Sequence, residues 1–151
     1  MDTDNRKSFL QLQVIWKDDD LIELQVIASN GRYFGTTEVY DTSEELAHFA
    51  ESLLGYPISA DQTLMHTAGQ AGSYAYFAMK FYCIDNAGHI GVRVSLEENV
   101  PTQYRKEEKD SLALEIIVEP NAIDNFQKQL LQLATKEDGI AILYGRNHSF
   151  D

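Results

Sequence analysis

Cationic side chains are scarce in this sequence. Twelve Lys and Arg stand against twenty-four Asp and Glu in 151 residues, a formal net charge of −12. Nucleic acids and anionic membranes are bound through a cationic footprint, so neither is expected as a partner. Cysteine is scarcer still, with Cys83 alone. No intrachain disulfide can form, which fits a reducing compartment rather than a disulfide-stapled secreted domain. Long apolar runs are missing as well. The stretch 9–16 behind the charged N-terminus is broken by Gln11 and Gln13, so it does not read as a signal peptide. No segment reaches the roughly 18 apolar residues of a membrane span. The chain is therefore expected to be cytoplasmic and full length.

Catalytic and metal-binding motifs are absent too. There is no G-x-S-x-G elbow, no C-x-x-C, no H-x-x-x-H and no H-E-x-x-H. The glycines of 69–73 are followed by no lysine and no helix pattern, so they do not form a phosphate loop. Cys83 has no cation beside it to lower its pKa and is expected to be a buried structural thiol. The histidines, His48, His66, His89 and His148, are spread over a helix, a loop, a turn and the C-terminal tail. Glu45 and His48 have the i, i+3 spacing of a carboxylate-bridged metal helix, but only one such pair occurs, and Glu45 is better placed for helix capping. Asp18, Asp19 and Asp20 lack the EF-hand spacing and read as a solvated turn. With so many acids, spacing singles out no catalytic carboxylate pair. No cofactor and no metal are expected, and the balance leans away from an enzyme.

What the sequence does contain is the pattern of a globular domain. Hydrophobic residues make up 44 % and charged residues 24 %. At this length one domain over 1–151 is expected, with 1–8 and 146–151 frayed. Leu10, Leu12, Val14 and Trp16 alternate with Gln11, Gln13 and Ile15, a period-2 strand. Ile22, Leu24, Val26 and Ala28 make a second strand, the Asn30-Gly31 pair a hairpin, and 33–40 a third strand. A helix follows, capped by Thr42 with Glu45 at capping-box spacing. Leu46, Phe49, Ala50, Leu53 and Leu54 form its apolar stripe. The segment 56–73 loses periodicity and reads as a long loop, functional or mobile. Strands are expected over 74–84, 90–96 and 112–118. A second helix opens at Asn121, with Ile123, Phe126, Leu130, Leu131 and Ala134 inward, and a short strand over 140–144 closes the chain. The order βββ-α-βββ-α-β predicts an α+β fold: a mainly antiparallel sheet of about seven strands with both amphipathic helices on one face. The last strand, coming after a helical crossover, is read as parallel to its neighbour. The halves repeat the order βββα without a residue-by-residue repeat.

Charge is unevenly placed. Ten acids fall between Asp18 and Asp61, where Arg32 is the sole basic residue. Such a stretch can be plain surface polarity that aids solubility, or an acidic face complementary to a basic partner. Two segments resemble small bacterial families, some encoded as immunity proteins beside polymorphic toxins. One is 84–94, a D-x-x-G-h-x-x-V-x-V hairpin that starts Ile84-Asp85-Asn86-Ala87-Gly88. The other is the strand-to-helix segment 118–130, which includes Phe126 and Leu130. The resemblance covers the last half of the chain. It rests on turns, caps and core positions and carries over no catalytic residue. It implies a non-enzymatic protein-binding domain of immunity type, and the acidic stretch adds that the partner it neutralises is basic. Asp18, Asp19, Asp20, Glu44, Glu45 and Glu51 are the candidate contacts, with Tyr33 and Tyr56 as aromatic anchors. Two alternatives stand beside it. One is a small-molecule-binding domain or enzyme with a cleft beside 56–73, using His66, Tyr74 and Tyr76. The other is a homodimer joined through the aromatic strand over 74–82.

Overall fold

The computed structural model describes residues 7–100 and 105–146. His148 and most of both chain ends therefore lie outside the described residues. Ser8 and Arg146, expected in frayed ends, are tied down: the Ser8 carbonyl accepts the Gly145 N–H at 2.8 Å and the Ile117 carbonyl accepts the Arg146 N–H at 2.8 Å.

Each segment with apolar alternation becomes a strand. β1 (Ser8–Lys17), β2 (Ile22–Asn30) and β3 (Phe34–Asp41) form a meander, and α1 (Ser43–Ser52) leads from it to β4 (Leu64–Gly69). β5 (Tyr76–Cys83), β6 (Ile90–Glu97) and β7 (Ser111–Val118) form a second meander, and α2 (Pro120–Lys136) leads to β8 (Ile140–Tyr144). The fold is α+β, as expected. The strands divide into two antiparallel four-stranded sheets, in the orders β3-β2-β1-β8 and β4-β5-β6-β7, rather than forming one sheet of about seven. The division follows from the helical crossovers, because each carries the chain from its own meander to the edge of the other. β4 pairs with β5, and β8 pairs with β1, antiparallel where a parallel neighbour was expected. The chain is thus a β-β-β-α-β unit repeated, with the fifth element of each unit completing the sheet of the other.

The segment 56–73 was expected to be structureless and contains β4. Its signal is weak because only two of its residues, His66 and Ala68, are fully inward, and neither is a strong apolar marker. The inward faces of both sheets and both helices share one core. It includes Leu10, Leu24, Phe77, Phe81, Ile116 and Phe126. The helices pack on each other, with α1 also against β4 and α2 against β8. A buried side-chain amide bridges them, Gln127 Nε2 donating to the Ala50 carbonyl at 3.0 Å. The N-cap of α2 is Glu119, with Pro120 as first helical residue, rather than Asn121. Proline suits that position because it has no N–H to leave unsatisfied. At the other end of α2, Glu137 adopts φ 54°, and its carboxylate accepts the Ser43 hydroxyl at 2.8 Å, at the start of α1.

Candidate functional site

The β1–β2 turn and the start of α1 lie at the same end of the molecule. Lys17 is opposite Ile22, and Ile22 is opposite Asp41. Within the turn, Asp18 Oδ1 accepts the N–H groups of Leu21 at 2.7 Å and Asp20 at 2.8 Å. Those two bonds favour the ionised form and hold the Asp18 carboxyl below its ordinary pKa, the Leu21 bond first. Asp18 therefore has a structural task, whereas Asp19 and Asp20 are exposed beside it. At the helix start, Thr42 Oγ1 accepts the Glu45 N–H at 3.2 Å. The reciprocal bond of a capping box is replaced: the Thr42 N–H donates to Asp41 Oδ1 at 2.7 Å. Glu45 is thereby released from capping and, like Glu44, lies exposed in the first turn, where the helix dipole favours negative charge.

At this end of the sheet stands an aromatic pair, of which sequence alternation places one member, Trp16, on the wrong face. Leu10, Leu12, Val14 and Trp16 share one parity, which points Trp16 inward. The structure has a bulge between Val14 and Trp16: Val14 is opposite Leu24, Trp16 is opposite Glu23, and Ile15 is the extra residue. The phase of the strand flips there, and Trp16, the chain's one tryptophan, emerges 46 % exposed. Glu23 in turn is opposite Tyr40, and the Trp16 and Tyr40 rings meet edge to face with centroids 6.0 Å apart. An indole and a phenol thus flank a carboxylate on the open face of the first sheet. Only a sign of the bulge would have revealed this, and the sequence has no glycine at the position to give one.

The other candidate residues are dispersed. Glu51 is exposed near the far end of α1, about 10 Å along the helix from Glu44. Tyr33 is exposed, but it belongs to the β2–β3 turn at the opposite end of the sheet. Tyr56 cannot be an anchor: it is 3 % exposed, and its hydroxyl donates to the Gln62 carbonyl at 2.9 Å. Burial, then the nearby Cys83, push its phenol well above the ordinary tyrosine range. Cys83 itself is half-buried at the end of β5, 4.0 Å from the Ser59 carbonyl, rather than a fully buried thiol.

The residues expected to line a pocket by 56–73 are not brought together. His66 is 6 % exposed on the inner face of β4, its Nε2 2.7 Å from Asp41 Oδ2 and its ring 5.4 Å from that of Phe49. Tyr76 is on the opposite, outer face of the sheet, and Tyr74 is exposed in the preceding turn. Asp41 and His66 are 25 residues apart and belong to different sheets. No local motif could announce their pairing. The aromatic strand β5 is central, with Phe77, Met79 and Phe81 in the core, and its outer face carries Lys80 beside Arg93 of β6. Lys80 and Arg93 thus put two cations in the middle of the face that a dimer was expected to bury.

Two open clefts of about 240 Å³ each lie elsewhere, one between β3 and the ends of β6 and β7, the other between the end of α2 and β8. Among the described residues, no three His, Cys, Asp or Glu side chains converge as metal ligands would, and no helix is long and apolar enough to cross a membrane. No protein-family model matches the chain, and no curated protein and no solved structure matches it.

Proposed function

We propose that this chain is a non-enzymatic, cytoplasmic protein-binding module that docks a basic partner on the end formed by the β1–β2 turn, Trp16, Tyr40 and the start of α1. The observation that supports it is the bulge: an extra residue in β1 turns the only tryptophan outward, beside Tyr40 and Glu23, at the end of the sheet that also carries Asp19, Asp20 and the first turn of α1 with Glu44 and Glu45. Exposed aromatic rings supply affinity at interface centres, and surrounding charges supply on-rate and partner choice. The residues resembling immunity families fit the same reading, in which the partner is a basic toxin domain held inactive. The anchors are Trp16 and Tyr40 in place of Tyr33 and Tyr56.

The test is affinity capture from cells of the source, with the captured proteins identified and their charge determined. Wild type is compared with Trp16→Ala/Tyr40→Ala and with Glu23→Lys/Glu44→Lys/Glu45→Lys, at low and high salt. Exposed charges are screened beyond a Debye length of about 8 Å at physiological salt. The expected result is a basic partner retained by wild type, weakened by salt and by charge reversal, and lost with the aromatic pair. An acidic partner, or equal capture by all three proteins, would refute the reading.

A further inference from the structure

At the opposite end of the first sheet, about 20 Å along the strands from Trp16, edge strand β3 runs onto the second sheet. The two are stitched at Thr37, whose hydroxyl lies 2.7 Å from both the Glu97 carbonyl and Asn99 Oδ1, and at Glu38, whose N–H donates to Asn99 Oδ1 at 3.1 Å. One residue pair further, the backbone of Gly35 comes so close to β7 that a Cβ there would stand 2.6 Å from Leu112 Cδ2. Beyond that contact the strands part and leave the cleft of about 240 Å³.

Its walls have a definite chemistry. Leu96 and Leu112 form an apolar floor, and the Phe34 ring, 65 % exposed, stands at the rim. Among the described residues, the charged groups lining it are the carboxylates of Glu98 and Asp110, with no Lys or Arg beside them. Glu98 Oε2 accepts the Asp110 N–H at 2.6 Å, which fixes the rim. Among the described residues no donor is bonded to the Asp110 carboxylate. The adjacent cation is occupied elsewhere: Lys109 Nζ, on a side chain 6 % exposed, donates to the Tyr74 and Glu98 carbonyls at 2.9 Å each. The cleft is thus anionic at its mouth, apolar at its floor and aromatic on one side. Drug-sized ligands occupy about 300–1,000 Å³, so this is room for one side-chain-sized group.

We infer that this cleft binds a guanidinium group carried on an aliphatic stem. The stem lies on Leu96 and Leu112, the planar cation stacks on Phe34, and its N–H fork donates to Asp110 and to the remaining oxygen of Glu98. A guanidinium suits the site better than an ammonium because it is planar, stacks on rings and donates two parallel hydrogen bonds. This does not rest on the partner proposed for the Trp16 end.

The same group can come from a free small molecule or from an arginine in a polypeptide. The test is NMR titration of the full chain with n-butylguanidinium, n-butylammonium, n-pentanoate and the capped peptide Gly-Arg-Gly. Backbone amides of Phe34, Thr36, Ser111 and Leu112 are the reporters. The expected result is saturable shifts with butylguanidinium, weaker ones with butylammonium and none with pentanoate. Asp110→Asn should weaken the guanidinium about three- to tenfold, a change of one charged hydrogen bond. Phe34→Leu, which touches neither carboxylate, should weaken it as well. Binding by the peptide assigns the source to a polypeptide, and binding by butylguanidinium alone assigns it to a small molecule. Absence of binding by both, shifts of equal size with pentanoate, or full affinity in the two variants overturns the inference.

Discussion

Asp41 and His66 contact each other across the two sheets while each is only 6 % exposed. Asp41 does more than pair, because its other oxygen takes the first free N–H of α1 through Thr42. One carboxylate thus ties the end of β3, the start of α1 and the inner face of β4. Removing one member of a buried pair strands the other and costs about 3–5 kcal/mol. His66→Leu is therefore expected to lower the unfolding free energy by that much, read as a lower urea midpoint at unchanged slope, and a loss under about 1 kcal/mol would show that the pair is not structural. Tyr82 gives a second measurement at this scale. Its hydroxyl donates to Glu115, and burial first, then that carboxylate, push the phenol up from 10.0 to about 12. The neutral phenol is the favoured form, so its contribution is intact below pH 10 and is lost as pH rises through about 12. Glu115→Gln removes the anion but not the burial. The Tyr82 midpoint, followed through its ring carbon resonances, is expected to fall part of the way back to 10. Neither contact was legible in the sequence, since Tyr82 and Glu115 are 33 residues apart and meet only through the β5–β6–β7 registers.

Secondary structure was far more legible than side-chain contacts, because period and cap are local. The Thr42 cap, the Asn30-Gly31 hairpin and the apolar stripes of both helices were readable, since each needs residues within one or two turns of chain; the exception is Leu54, which falls past the end of α1 and is 69 % exposed. Each helix is fixed by a phenylalanine on its stripe: Phe49, set 5.7 Å from Phe81 and 5.4 Å from His66, and Phe126, fully buried. Phe49→Ala and Phe126→Ala are each expected to cost about 3–5 kcal/mol in denaturant melts, with the larger loss at Phe126, which has no solvent-exposed edge. Two features defeated the local reading. The bulge at Ile15 reverses strand parity with no glycine to mark it, so the half of the candidate site that depends on Trp16 was hidden. β4 has Met65, a large apolar residue, outward and His66 inward, the reverse of a clean strand pattern. Its segment therefore looked like loop. The exposure of Asp19, Asp20, Glu44 and Glu45 was plain from their charge alone.

At the scale of the whole molecule the organising fact is the exchange of fourth strands between two β-β-β-α-β units. The repeated order βββα was visible in the sequence. Its consequence was not, because pairing of β8 with β1 spans almost the full chain. That exchange makes each half the missing part of the other. A chain opened between Ala71 and Gly72, both exposed in the turn before β5, yields two pieces. One holds three strands of the first sheet and one orphan strand, and the other holds the mirror set. Each piece alone leaves a sheet edge unpaired and its half of the shared core in water, so neither should show a cooperative melt. Mixed, they should associate one to one and regain the circular dichroism and melting transition of the intact chain. Independent folding of either piece would break this expectation. The topology thus describes a protein that can be supplied in two parts and becomes whole only where both are present, a logical AND written in hydrogen bonds.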